Sequence, residues 1–235
     1  DLFMKDLIVI LMMLWSFTIK AQIIDDFEGG DLSMDSLWIT SNESGRGMDF
    51  SITHGELNSD GPSGSGTLFI ATELALSSQS TELSWECYIR YESRPSGSNY
   101  VKVFLLSDRV DLNDDPKGYY LQMGESGSND GIDLYHTSSN IPLISDPMNG
   151  IAEGIDVCIQ VFRSSTGEWI LKTLSSESLD TIILGTALDT RLISSGYFGF
   201  LVRHSSSRRK AFFFDEVGVK ADQIPDLMAP DVLDI

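Results

Sequence analysis

Glu82 and Glu86, in the run Glu82-Leu83-Ser84-Trp85-Glu86, are the pair whose type and spacing come nearest to hydrolytic chemistry. A retaining glycosidase needs two carboxyl groups about 5–5.5 Å apart, one as nucleophile and one as acid/base. On a strand, residues four apart share a face but are separated by roughly 13 Å of rise. That spacing argues against a glycosidase. The three histidines, His54, His136 and His204, follow or end apolar runs and are expected at the surface, with no Gly-x-Ser-x-Gly elbow to pair them with. Nor does the chain carry a P-loop, a dinucleotide fingerprint or an HExxH motif.

Two other constellations suit binding. Asp25-Asp26-Phe27-Glu28 stands early and Phe212-Phe213-Phe214-Asp215-Glu216-Val217 stands late. If the terminal strands pair, Asp26, Glu28 and Asp215 bring together hard oxygen donors of the kind calcium takes; the alternative is that the acids simply face water. The second constellation is a face. Trp85, Cys87, Ile89 and Tyr91 alternate with Glu86, Tyr88, Arg90 and Glu92, and Tyr119, Leu121 and Met123 alternate with Tyr120 and Gln122. The first member of each set reads as core. If the strands are neighbours, Glu86, Tyr88, Arg90, Lys102, Tyr120 and Gln122 share the opposite face, mixing flat rings with hydrogen-bonding groups as sugar sites require. An ordinary solvated sheet face with tyrosines as cross-strand packers is the competing reading.

The elements that must hold these residues are strands. Short β-rich runs recur with period two, separated by Gly, Ser, Asn and Asp clusters, and no helical stripe is sustained. Strands are expected at Phe50–Ile52, Leu68–Thr72, Glu82–Tyr91, Tyr100–Leu106, Gly118–Gly124, Asp130–His136, Asp156–Arg163, Trp169–Leu174, Tyr197–His204 and Lys210–Val219. Ser164-Ser165-Thr166-Gly167 joins two of them into an antiparallel hairpin. Ser107 to Pro116 and Ser126 to Gly131 read as surface loops. The fold class is therefore all-β, an antiparallel two-sheet sandwich of jelly-roll, concanavalin A-like type.

Composition bounds the partners. Of 235 residues 42% are hydrophobic, enough for a sizeable core, and 35 acidic against 16 basic side chains give a formal charge of −19. Nucleic acid, which needs a basic stripe, is excluded as a partner. The compact basic cluster Arg203, Arg208, Arg209 and Lys210 falls in a Ser-rich stretch and reads as a solvated loop. Residues 1–21 read as a signal-peptide helix: Met4-Lys5, an apolar run from Leu7 to Phe17, and a cleavage point at Lys20-Ala21-Gln22, with 1–3 as over-read upstream sequence. Asp6 and Ile19 fit that pattern poorly, so a retained membrane anchor is the alternative. Cys87 and Cys158 each lie in a strand-like run and leave open one disulfide or two buried thiols. Neither has metal-site spacing.

The order of several short motifs adds a resemblance. Asp25-Asp26-Phe27, Trp85-Glu86-Cys87-Tyr88-Ile89-Arg90, Gly118-Tyr119-Tyr120-Leu121-Gln122-Met123-Gly124, Gly196-Tyr197-Phe198-Gly199-Phe200 and Phe213-Phe214-Asp215-Glu216-Val217 occur in one sequence. Together, over about residues 22–220, they resemble the N-terminal concanavalin A-like or laminin-G-like domain of large secreted Bacteroidetes proteins of the lamin-tail-domain or gliding-motility-associated type. The resemblance implies a sandwich over 22–220, with 221–235 as a linker opening into a further module, and it implies a secreted or cell-surface location. It transfers no catalytic residues. The expected function is a non-catalytic module binding a polysaccharide or surface glycan. A structural spacer or adhesion module and a glycoside hydrolase are the alternatives. The membrane matters only during export, and downstream domains of the same chain are the other expected partners.

Overall fold

The computed structural model describes residues 20–32, 37–74, 82–125, 130–174, 181–191 and 196–222. The expected signal-peptide helix, as far as residue 19, and the tail from 223 lie outside the described residues. In chain order the strands are β1 (Lys20–Asp25), β2 (Trp38–Thr40), β3 (Phe50–Thr53), β4 (Glu56–Ser59), β5 (Gly66–Glu73), β6 (Glu82–Tyr91) and β7 (Tyr100–Ser107). They continue as β8 (Gly118–Met123), β9 (Ile132–His136), β10 (Ile155–Arg163), β11 (Glu168–Leu174), β12 (Thr181–Leu188), β13 (Tyr197–His204) and β14 (Phe213–Asp222). Every expected strand has a counterpart. β1, β2, β4 and β12 were not anticipated, and Lys20 and Ala21 already pair with Ala221 and Lys220.

Two antiparallel sheets result. The larger has the order β12-β11-β10-β6-β14-β4-β3, with β1 also paired to β14; the six-stranded sheet has the order β2-β5-β13-β7-β8-β9. Local chemistry sets the connections. At His54-Gly55 both residues have positive φ, 57° and 80°, the geometry a two-residue hairpin demands. It joins β3 to β4 with Thr53 opposite Glu56. The hairpin of β10 and β11 forms as expected: the Gly167 N–H donates to the Ser164 carbonyl at 3.0 Å, and Gly167 takes a φ of 88°.

Alternation decides what each strand buries. On β6, Leu83, Trp85, Cys87, Ile89 and Tyr91 point inward; on β8, Tyr119, Leu121 and Met123 do so. The inner faces meet in one core, where Phe200 of the smaller sheet lies 4.2 Å from Phe214 of the larger and Tyr119 lies 4.4 Å from Trp169. Each such buried aromatic contributes on the order of 1.5–3 kcal/mol through apolar burial, so the inter-sheet contact is what makes the sandwich cooperative. Two histidines join the buried set, contrary to the surface positions expected of them: His204 is wholly buried and His136 nearly so, while His54 is exposed at its turn. Both buried rings end strands whose last residue still points inward.

The cysteines are separate thiols. Cys87 faces the core, whereas Cys158, opposite Tyr88 in the register, lies half-buried on the outer face with its Sγ 3.6 Å from Glu86 Oε1. Their side chains leave opposite sides of the sheet, so only one of them is a core thiol. The basic cluster is a loop laid along Asp60 and Gly61: Lys210 Nζ stands 2.8 Å from Asp60 Oδ1, and Arg209 donates to the Gly61 carbonyl at 3.2 Å.

Candidate functional site

The sheet order divides the six residues expected to share one face. Glu86, Tyr88 and Arg90 lie on β6 in the larger sheet; Lys102, Tyr120 and Gln122 lie on β7 and β8 in the smaller one. Each set does point outward, but the two outer faces look in opposite directions across the sandwich. The premise that β6 lies in one sheet with β7 and β8 is thereby corrected: the chain crosses from one sheet to the other between β6 and β7.

On the larger sheet the outward residues satisfy one another. The Tyr88 hydroxyl donates to Asp156 at 2.8 Å, and its pKa is pushed up to about 12 by burial and then by that carboxylate. Arg90 spans Glu56 at 2.6 Å and Glu92 at 2.8 Å, with its guanidinium 4.0 Å from the Phe213 ring centroid. Glu86 instead borders a groove of about 430 Å3 whose walls include Gln160, Phe162, Ile170, Lys172 and Lys220.

The smaller sheet carries a different surface. Tyr100, Lys102 and Phe104 on β7 share an outward parity. A bulge between Phe104 and Leu106 lets Phe104 stay outward opposite Tyr120 while Leu105 and Leu106 turn into the core. Tyr120 stacks on Tyr135 at 5.3 Å with an interplanar angle of 11°, and meets Phe104 at 5.3 Å. The ammonium of Lys102 sits 4.3 Å from the centre of the Tyr120 ring. Gln122 donates to the Gly124 carbonyl at 3.3 Å.

The expected loop from Ser107 to Pro116 folds back over this surface. Leu112 is buried with Phe104, Ala71 and Leu201 in a second apolar cluster outside the main core. The loop is tied down where Lys117 N donates to Asp108 at 2.7 Å, Arg109 reaches the Asp114 carbonyl at 2.6 Å, and Asn113 N donates to Asp111 at 2.9 Å. Beneath it lies a cavity of about 240 Å3 lined by Tyr100, Lys102, Tyr120, Asn113, Asp115 and Pro116, among others. Burial lowers the Lys102 pKa, and burial followed by the charge of Glu125 raises that of Tyr120. Tyr135 is raised in the same way, by burial and by the hydrogen bond its hydroxyl donates to Glu125 at 2.8 Å. Sequence reasoning missed Tyr100 and Phe104, which the parity of Lys102 would have supplied. It also missed Tyr135 and the loop residues, whose approach is set by tertiary packing.

Among solved structures the chain is similar to the exoplasmic/lumenal domain of VIP36 in a Ca2+/mannose-bound form, with a TM-score of 0.58 and 13% identity over 92% of this chain and 94% of that one. The carbohydrate recognition domain of Emp47p superposes with a TM-score of 0.55 at 11% identity, covering 85% of this chain and 93% of that one. The fold is that of the legume-lectin-like sandwich. Lectin I-B4 of Griffonia simplicifolia shares it too, with a TM-score of 0.55 at 10% identity over 82% and 96% of the two chains. In sequence, no family model and no curated protein matches the chain.

The acidic site fares differently within this lectin-like fold. The terminal strands do pair, Asp25 standing opposite Val217. Asp215 feels Glu216, Glu56 and Glu28, and burial together with that repulsion raises its pKa. Yet Asp26 Oδ1 is taken by the Glu28 N–H at 3.2 Å and Asp215 Oδ1 by the Glu216 N–H at 2.7 Å. Among the described residues no three His, Cys, Asp or Glu side chains converge closely enough to hold an ion.

Proposed function

We propose that this chain is a non-catalytic, secreted or cell-surface module that binds carbohydrate on the outer face of its six-stranded sheet. The observation that carries the reading is Tyr120: a half-buried ring packed between the buried Phe104 and Tyr135, its exposed part lining the cavity beside Lys102 and Asn113 under a tethered loop. A sugar ring offers an apolar face and a rim of hydroxyls, and this surface offers a partner for each. The lectin-like fold supports the reading, since the similar domains of VIP36 and Emp47p carry mannose and a carbohydrate-recognition designation in their own right. The resemblance to the first domain of multidomain Bacteroidetes surface proteins supports export and further modules in the same chain.

A glycan array followed by titration calorimetry tests this. Tyr120→Ala removes the central ring and is expected to weaken the best glycan about tenfold or more, since about 1.4 kcal/mol of lost contact is a factor of ten. Tyr88→Ala, on the opposite sheet, leaves binding intact. Absence of binding across the array leaves the module a spacer, and release of reducing sugar from a bound polysaccharide would restore the hydrolase.

A further inference from the structure

Lys102 is the one lysine inside the cavity beneath the loop. Among the described residues its ammonium makes no ion pair and no hydrogen bond; its only partner is the Tyr120 ring at 4.3 Å. Cations elsewhere on this acidic chain often have a carboxylate: Arg46 and Lys210 hold Asp60, Arg90 holds Glu56, Arg191 holds Asp189, Lys117 holds Asp115. A π face offsets part of the lost hydration of an ammonium but supplies no acceptor for its three N–H bonds.

The carboxylates near Tyr120 are already engaged. Asp115, on the cavity rim, lies 2.6 Å from Lys117 Nζ. Glu125 accepts from the Tyr135 hydroxyl at 2.8 Å, and Asp133 Oδ1 accepts the Asp146 N–H at 2.8 Å. Among the described residues no side chain pairs with Lys102, so its ammonium, only partly buried, is open to a charge partner entering the cavity.

Resting on the carbohydrate reading above, we propose that the glycan bound at this face is anionic, a sugar ring lodged in the cavity against the exposed part of Tyr120 with its carboxylate or sulfate group against the Lys102 ammonium. A lysine presents a compact point charge rather than a bidentate fork, so uronates and sulfate esters both satisfy it, and neutral hexoses satisfy it less. A charge-assisted hydrogen bond in a partly dry site is worth about tenfold or more in affinity.

Titration calorimetry of the whole chain with oligogalacturonate, its methyl ester, a sulfated galactan oligosaccharide and a neutral galactan oligosaccharide tests the proposal. The free acid or the sulfate ester is expected to bind about tenfold more tightly than its neutral counterpart, the ratio shrinking as salt is raised. Whichever anion binds identifies the source of the charge. Lys102→Met removes the charge at similar length and should abolish the ratio, read as acid against ester within the variant; Lys102→Arg should retain it. Melting curves of both variants verify that they fold. Equal affinity for acid and ester, or an unchanged ratio in Lys102→Met, overturns the charge assignment and leaves carbohydrate binding standing. No binding to any of the four, and none on the array, overturns both.

Discussion

Acidification from about pH 7.5 to about pH 5 should destabilise this protein through His204, because imidazole titrates near 6.5 in the unfolded chain and its proton has no place in the folded one. His204 ends β13 with no exposure to solvent. Nδ1 lies 3.2 Å from the Ser205 carbonyl, which puts the single ring proton there and leaves Nε2 as a lone pair with no hydrogen-bond partner. The ring is boxed in: a Cβ added at Gly61 would come within 2.6 Å of Nε2, and one at Gly66 within 3.1 Å. A second proton would point into Gly61, Gly66 and Leu68, none of which offers a side-chain acceptor.

Burial therefore lowers the His204 pKa, with Arg203 and Arg209 adding to the depression while Asp49 and the Ser205 carbonyl oppose it. A folded value below the unfolded one means the contribution to stability is complete above about 6.5 and is lost as pH falls from there toward the folded value. At pH 5 the unfolded chain has gained about 1.5 pH units of proton binding that the folded chain is denied, a ceiling of about 2 kcal/mol for this one ring. Denaturant titrations at a series of pH values, read by fluorescence of the stacked Trp85 and Trp169 pair, measure it. His136 titrates in the same window, its pKa lowered by burial and by Arg191, so the informative quantity is the difference between wild type and His204→Leu. The variant should lose stability more gently with acid, whatever its stability at neutral pH. Parallel curves, or a His204 imidazole resonance titrating at or above about 6.5, would refute the account.

Two further outcomes follow from the same structure. Asp215 has a raised pKa, so its contribution is present below the unfolded carboxylate value and lost as pH rises through the folded one; at neutral pH the charge opposes folding. Asp215→Asn should accordingly raise the melting midpoint by roughly 1–2 °C with or without chelator, whereas a calcium cage there would make chelator lower the wild-type midpoint and leave the variant unmoved. Intact-mass measurement after alkylation under non-reducing, denaturing conditions should find both Cys87 and Cys158 free, since their side chains leave opposite faces of the sheet. A mass short by two hydrogens would contradict that arrangement.

Period-two alternation made most of the sandwich legible. It identifies inside and outside along a strand because successive side chains leave opposite faces, and Trp85, Ile89, Tyr119 and Leu121 are all buried as that rule requires. The strands it missed are those where the rule has little to act on. β2 has three residues, β4 opens on Glu56 and buries Leu57, Asn58 and Ser59 in succession, and β12 lies at a sheet edge with Ile182 and Ile183 both exposed. What alternation cannot report is which of two sheets a strand joins. Both sheets bury alternate residues against the same core, so alternation alone is equally consistent with β6 and β8 in one sheet, although they lie on opposite layers. The candidate site was therefore half legible: Lys102, Tyr120 and Gln122 from parity, but not Phe104, Tyr135 or the loop above them, which a bulge and a fold-back bring in.

The pairing of β1 with β14 has a mechanical consequence. Lys20 at the head of β1 stands beside Ala221 near the end of β14, with the strands antiparallel. A pull applied through those two residues loads the ladder at one end, opening its hydrogen bonds one after another instead of shearing them together. Such a module yields at low force: β1 would peel first, carrying Ile23 out of the core before the two sheets separate.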